Sequence, residues 1–319
     1  MKAIITNAYG SVEVLEIQEV EKPVIQDNEM LIRVHASSVN PVDWKIRKGD
    51  AKLLTGRKPP KILGADYSGI VVKVGKDVKN YKIGDAVFGM VHAFKGGTYA
   101  EFVKVKEEET CPKPENLSFE EAASLPVVSL TSYQSLVREG QLKRGHHVMV
   151  NGCSGGVGLS GVQIAKALGC KVTGVCSTKN IEVAKKMGAD NIIDYTREDI
   201  LKDKEAYDIF FDALANQSFF KAKKTLRPGG AYITTLPSFQ SMILAPFINA
   251  VSSRKIKKIM VSPGTKSAKD LIIIKEMAER GHLVPVLEKI YPIEEIRDAH
   301  AHSETGRVVG KIALKGFEG

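Results

Sequence analysis

The sequence predicts an α/β protein: a doubly wound parallel sheet beside a second, β-rich domain of barrel type. Three observations carry this. Residues 2 to 112 are short alternating or β-branched runs in which no strand leads into a crossover helix until late. Residues 147 to 235 alternate strand-like and helix-like segments, the pattern of a parallel sheet covered by helices on both faces. Between the apolar run HVMVN and a helical stretch ending at Gly169 lies a turn with glycines at 152, 155, 156 and 158.

Taken in order, MKAIIT, VEVLEIQEV, EMLIRVHASSV, YSGIVVKVG, DAVFGMV and TYAEFVKV read as strands, with Gly64, Gly69, Gly75, Gly84 and Gly89 at turns or bulges. From Ser118 the pattern turns helical, Ser118 and Glu121 forming a capping box. The domain boundary is expected here. Residues 1–122 form the first domain, 123–259 the second, and 260–319 return to complete the first. In the second domain, strands are expected at 147–151, 171–176, 191–194, 208–212 and 231–235. Helices are expected around 180–187, 197–203 and 216–226. The last segment reads as a helix at 266–281, a strand at 284–288, a helix at 293–304 and a strand at 310–314. No internal repeat or low-complexity stretch interrupts the chain.

Strand, glycine turn and helix in succession form a dinucleotide-binding context, although Cys153 stands where the usual fingerprint has its first glycine. Glycine at 155 lets the backbone approach a pyrophosphate, and glycine at 158 lets the helix pack against its strand. The free N–H groups at the start of the helix, with the positive end of its dipole, face the phosphate charge. About twenty residues further on, where an acid would mark NAD, the second strand ends in Cys176-Ser177-Thr178-Lys179. A hydroxyl and an ammonium suit a 2′-phosphate, so the expected cofactor is NADP(H). A solvated surface lysine is the other reading of Lys179.

The 319 residues favour two domains, and 43% hydrophobic with 7% aromatic content supplies ordinary globular cores. Subtracting 37 acidic from 46 basic residues leaves +9, yet the lysines are dispersed. The densest cluster, Arg254 to Lys258, lacks aromatics, so no specific nucleic-acid partner is expected. Cys111, Cys153, Cys170 and Cys176 form no Cys-x-x-Cys pair, which fits a reducing cytoplasm. Cys153, at a helix N-terminus, reads either as an activated thiol or as a small-residue substitution. Met1 to Thr6 enters a strand pattern at once, and no apolar run reaches the roughly 18 residues of a membrane span, so a soluble, untargeted protein is expected. His300 and His302, two apart on a helix, point roughly 200° from each other and cannot share an ion.

Several ordered segments carry a resemblance: ASSVNPVDWKIRKG (36–49), GADYSGIVVKVG to YKIGDAVFG (64–89), GGTYAEFV (96–103), AASLPVVSLTSYQSL (122–136), the glycine turn, and GRVVGKIAL (306–314). Through them nearly the whole chain resembles the medium-chain dehydrogenase/reductase superfamily, in its zinc-free quinone oxidoreductase (zeta-crystallin-like) branch. The resemblance implies a GroES-like catalytic domain, a Rossmann NADP(H)-binding domain and a homodimer. Zinc-dependent relatives carry Cys in the segment corresponding to 39–43 and His-Glu in that corresponding to 64–66. Here Asn40 and Ala65-Asp66 stand instead, so no metal is expected.

The reaction so implied is hydride transfer from NADPH to a quinone or an α,β-unsaturated carbonyl (enone or enal). By resemblance, Asn40 and Thr131 lie near the nicotinamide, Gly155, Gly156 and Val157 hold the pyrophosphate, and Ser177, Lys179 and Tyr195 meet the 2′-phosphate and adenine. Leu236 touches the nicotinamide ribose, while Tyr195 also reads as core packing. Lys45, Tyr67 and Asp43 are candidate proton donors at the cleft, each with a structural or solvated reading beside it, and water serves equally well. Trp44 reads as a substrate wall or as core. The rival functions are an NADPH sensor or RNA-binding protein, and an enoyl thioester reductase.

Overall fold

The computed structural model describes residues 1–235, 245–246, 249–250, 252–258 and 265–318. Leu236 lies outside them. The chain divides into two compact units: Met1–Val127 with Ser262–Gly281 and Pro285–Gly319, and Val128–Val261 with His282–Val284.

In the first unit, β1 (Lys2–Thr6) and β2 (Leu15–Glu19) pair antiparallel. The larger sheet is built on the eleven-residue β3 (Glu29–Val39), with β4 (Asp66–Val74), β5 (Ala86–Met90), β6 (Phe102–Lys106) and β7 (Thr110–Pro112). From the C-terminal part, β14 (Leu287–Pro292) and β15 (Lys311–Lys315) join it. β15 pairs antiparallel with β3, opposing Ile312 to Val39. The helices are α1 (Pro41–Lys48), α2 (Lys52–Thr55), α3 (Phe119–Ala123), α8 (Thr265–Glu279) and α9 (Ile296–Glu304). Helix α1 starts because Pro41 at its first position needs no hydrogen-bond partner for the nitrogen, and it stops at Gly49 in the left-handed region, φ 93°.

Side chains alternate across a strand, so Tyr67 falls into the core with Met30, Ile32, Val71 and Val87. Its neighbour Asp66 turns toward Ser38 and Asn40. A second apolar cluster joins Ile4, Val39 and Ile46 to Ile296, Ile312 and Leu314, tying the start of the chain to its end.

The second unit is a six-stranded parallel sheet in the order β10-β9-β8-β11-β12-β13. Its strands are β8 (His147–Asn151), β9 (Lys171–Cys176), β10 (Asn191–Asp194), β11 (Tyr207–Asp212), β12 (Leu226–Thr234) and β13 (Lys255–Lys258). Its helices are α5 (Gly156–Ala167), α6 (Ile181–Lys186) and α7 (Phe219–Ala222). Helix α4 (Pro126–Tyr133) continues as a π-helical turn, Gln134–Glu139. Consecutive residues of central strands fall into different cores: Val148, Phe211 and Ile233 into one, Met149, Phe210 and Tyr232 into the other. The sheet is therefore buried on both faces, as parallel sheets are.

Three local expectations differ from the structure. The helix expected at 197–203 is a series of turns, because the Asp194 and Asp199 carboxylates take the N–H groups of Thr196 and Leu201 that a helix would use. The expected helix at 216–226 shrinks to Phe219–Ala222 plus a short 3-10 turn, and the next strand begins at Leu226 rather than 231. The expected strand at 284–288 begins only at Leu287, since Val284 exchanges both backbone hydrogen bonds with the Gln163 amide, at 2.8 and 3.1 Å, and Pro285 has no N–H.

Candidate functional site

In the second unit, β8 runs into the glycine turn and α5 begins at Gly156 with Gly155 as its N-cap. Gly155 has no side chain to cap the helix, so the first N–H groups, those of Gly156 and Val157, are left for another acceptor. The turn is tight at one point and open at another. A Cβ on Gly158 would lie 2.1 Å from the Gly152 carbonyl oxygen, whereas one on Gly155 would meet nothing nearer than 3.8 Å. The open position is where a phosphate can come close to the backbone.

Thr131, half-buried on α4, neighbours Ser132, whose hydroxyl donates to the Val157 carbonyl at 2.7 Å. The start of α5 is thereby tied to α4. Cys153 corrects the expectation of an activated thiol. It is buried, its N–H donates to Val175, and the Cys176 thiol and burial together push its pKa up. The small-residue reading stands.

Ser177 and Tyr195 directly follow the paired ends of β9 and β10, where Asp194 opposes Cys176, and Lys179 lies two residues beyond Ser177. Lys179 is exposed, and Tyr195 is 57% exposed rather than packed in the core. The structure adds an acid that the linear motif lacks, since the neighbouring strand delivers Asp194. Its carboxylate accepts from the Thr178 hydroxyl and, at 2.7 Å, from that of Thr196, which holds it below the usual carboxylate range. Asp194 thus anchors the Ser177–Asn180 loop. The Asn180 amide donates to Ser154 in the glycine turn at 2.9 Å, fastening the two loops together.

In the first unit, the polar residues converge inside the fold. Asn40 is 1% exposed, and both ends of its amide are engaged. Its Nδ2 donates to Asp66 Oδ2 at 2.8 Å, and its Oδ1 accepts from Lys311 Nζ at 2.6 Å. Asp66 also accepts from the Ser38 hydroxyl at 2.6 Å and from the Val127 N–H at 2.8 Å. Lys311 donates further to the Val39 carbonyl at 3.0 Å and pairs with Asp66 at 3.6 Å. Burial pulls the Lys311 pKa down while the two carboxylates, Asp66 and Asp43, oppose that shift.

Asp43 and Tyr67, expected at the border of a cleft, are fully buried. Asp43 Oδ2 accepts from the Asn40 N–H at 2.8 Å and from Tyr99 at 3.0 Å, while its Oδ1 has no partner. Burial raises its pKa to about 7, with Asp66 adding to the rise. The Tyr67 hydroxyl donates to the Glu109 carbonyl at 3.1 Å, and burial raises its pKa far above the ordinary value. Both are interior groups because the strand and helix faces they occupy pack inward. Lys45 keeps partial exposure, with its ammonium 5.6 Å from the Trp44 ring centre. Trp44 itself is half-buried and donates to Ser303 at 3.1 Å.

Behind Asp43 runs a chain that sequence reasoning missed. Arg47, fully buried, pairs with Glu304 and faces His300 Nδ1 at 3.4 Å, and His300 Nε2 lies 3.3 Å from the Tyr99 hydroxyl. Arginine only donates, so His300 accepts at Nδ1, carries its proton on Nε2 and donates to Tyr99, which donates to Asp43. Burial, with Arg47 adding, keeps His300 neutral by lowering its pKa to about 3. The missed residues lie far apart in the chain, and only the end motif GRVVGKIAL hinted at Lys311.

A family model described as an alcohol dehydrogenase GroES-like domain matches residues 26–115, and one described as a zinc-binding dehydrogenase matches residues 187–314. The chain is 34% identical to the 2-methylene-furan-3-one reductase of Solanum lycopersicum, over 98% of this chain and 79% of that one. It is 33% identical to the NADPH-dependent alkenal/one oxidoreductase, chloroplastic, of Arabidopsis thaliana, with the same coverage. Among solved structures, the quinone oxidoreductase from Coxiella burnetii superposes with a TM-score of 0.88 at 30% identity, over 99% of each chain.

Proposed function

The chain belongs to the quinone and alkenal/one oxidoreductase branch of the medium-chain dehydrogenase/reductase superfamily, and on that basis we propose that it transfers hydride from NADPH to a quinone or to the β-carbon of an enone or enal. The observation that carries the reading is the uncapped start of α5, behind a turn that is open at Gly155 and closed at Gly158. The second unit binds NADP(H), and the first supplies the surroundings of the acceptor. Gly155, Gly156 and Val157 hold the pyrophosphate through backbone N–H groups. Ser177 and Lys179 hold the 2′-phosphate, and Tyr195 covers the adenine. Asn40, Thr131 and Leu236 belong to the nicotinamide end.

NADPH, when bound, supplies the hydride. The chain's own residues bind and orient it, and the branch needs no metal here. At Asn40 and Asp66 neither thiolate nor imidazole is present, and the Lys311 ammonium already supplies a positive charge to both side chains. Lys45 is the candidate donor that remains partly exposed. Water serves as the alternative source of the proton. The four cysteines are free and buried, which supports a reducing, cytoplasmic setting, and a homodimer completes the proposal. No helix among the described residues is long and apolar enough to cross a membrane.

The test is a fluorescence titration with NADPH and NADH on wild type and Lys179→Ala. Wild type is expected to prefer NADPH by about tenfold, about 1.4 kcal/mol, and the variant to lose that preference. Loss of reduced-nicotinamide absorbance on adding a quinone or an enal then establishes turnover. Binding without turnover would favour a sensor. Absence of binding would reduce the glycine turn to architecture.

A further inference from the structure

The interior of the first unit holds an expensive arrangement. Lys311 is 6% exposed and Asp66 fully buried, and a pair of charges so placed is commonly no more stabilising than apolar side chains of the same volume. Apolar packing alone would therefore not call for it. What the pair does is set directions. An ammonium can only donate and a carboxylate can only accept, so Lys311 on Oδ1 and Asp66 on Nδ2 leave the Asn40 amide a single orientation, with no flipped alternative. The second Nδ2 hydrogen of Asn40 has no partner among the described residues. Asp66 also receives the N–H of Val127, in the first turn of α4, through its other oxygen at 2.8 Å. Asn40, assigned to the nicotinamide end, and the Val127 N–H are thus held by the same carboxylate, which Lys311 faces at 3.6 Å.

We infer that Lys311 is a positioning residue for hydride transfer: its buried ammonium holds the Asn40 carbonyl oxygen and faces Asp66, and the two together set the direction of the Asn40 amide. The inference rests on the reductase reading. It assigns Lys311 no contact with substrate or cofactor. Loss of the ammonium leaves the buried Asp66 carboxylate without its counter-charge and Asn40 Oδ1 without its donor. The amide then keeps only its Nδ2 contact to Asp66 and is free to turn.

The experiment compares wild type, Lys311→Met and the double variant Lys311→Met with Asp66→Asn. Melting temperature is measured, together with kcat and KM for NADPH, using a quinone as acceptor. Lys311→Met alone strands a buried carboxylate and is expected to lose both melting temperature and activity. The double variant removes both charges, so its melting temperature should return toward that of wild type. Its kcat should nevertheless stay down by about tenfold or more, since no ammonium then fixes the amide, while KM for NADPH, whose phosphates are assigned to the glycine turn and the Ser177–Lys179 loop, changes by less than about threefold.

Recovery of kcat together with melting temperature in the double variant would show that the pair is structural only and would overturn the inference. So would wild-type kcat in Lys311→Met. A wild type that binds NADPH but reduces neither quinone nor enal would overturn the reductase reading itself, an outcome visible before any variant is made.

Discussion

In the first unit Asp43, Asp66, Arg47 and His300 are closed off from solvent around Tyr99, with Lys311 among them, whereas in the second the buried carboxylate of Asp212 is answered by neutral donors alone. Asp212 accepts from the Asn151 amide at 2.7 Å, the Gln217 N–H at 2.8 Å and the Tyr232 hydroxyl at 2.9 Å. The first unit couples charges from four separate stretches of chain. The second leaves the first backbone N–H groups of α5 uncapped at one glycine turn. The same molecule thus uses two kinds of precision. In one, ionic groups fix the directions of side chains, and the result depends on charge and pH. In the other, steric room fixes the backbone, and the result depends on whether a Cβ fits.

The largest effect should come from disrupting the ionic interior. Glu304→Ala leaves the fully buried Arg47 guanidinium without its anion, and calorimetry should show a loss of about 3–5 kcal/mol. A loss under about 1 kcal/mol, the value of an exposed pair, would mean that Arg47 is better solvated than its burial implies, and the contrast between the units would weaken.

The steric half is tested by two alanines three residues apart. Gly158→Ala would put a Cβ 2.1 Å from the Gly152 carbonyl oxygen and should cost about 1–3 kcal/mol together with NADPH binding. Gly155→Ala meets nothing nearer than 3.8 Å and should leave stability within about 0.5 kcal/mol, yet it should still weaken NADPH in the titration because the Cβ occupies the phosphate's approach. Equal stability losses in the two variants would refute the assignment of open and closed positions.

A smaller effect probes the electrostatic half. The folded pKa of Asp43 is raised to about 7, so the folded state keeps a proton that the unfolded chain has already released. Stability from this group is present at acid pH and is lost as pH rises toward 7, by about 1 kcal/mol between pH 6 and pH 7.5. His300 slopes the other way. Its folded pKa is lowered to about 3, so its contribution is present above its unfolded value and is lost as pH falls below that value. Urea unfolding of Asp43→Asn should therefore show the variant gaining on wild type from pH 6 to pH 7.5. A pH-independent difference between the two would show that Asp43 is ionised throughout this range.

The residues of the glycine turn were legible because they are contiguous: a strand, four glycines within seven positions and a helix are local patterns, and local geometry follows from local sequence. The alternating strands were legible for the same reason, since periods of two and 3.6 residues can be read along a chain. Element edges were less so. Asp194 and Asp199 turned a helical-looking stretch into turns by taking its N–H groups, a competition that composition does not display.

The site residues divide along the same line. Gly155, Gly156 and Val157 lie in one contiguous stretch of the chain, and so does the Ser177–Lys179 loop. By contrast, nothing local separates Tyr67, packed in the core, from Asp66 beside it, bound to Asn40. Which face of β4 turns inward to which neighbour is decided by pairing with β3 and by the arrival of β15, more than two hundred residues away in sequence. The order of residues is enough to specify the strand, the glycine turn and the helix that follows it, and the family to which the chain belongs. It took the folded arrangement to set Asp194 beside the end of β9 and to bring Lys311 to Asn40 and Asp66. Those contacts join residues distant in the chain, and the burial that gives a charge its strength exists only once the chain has folded.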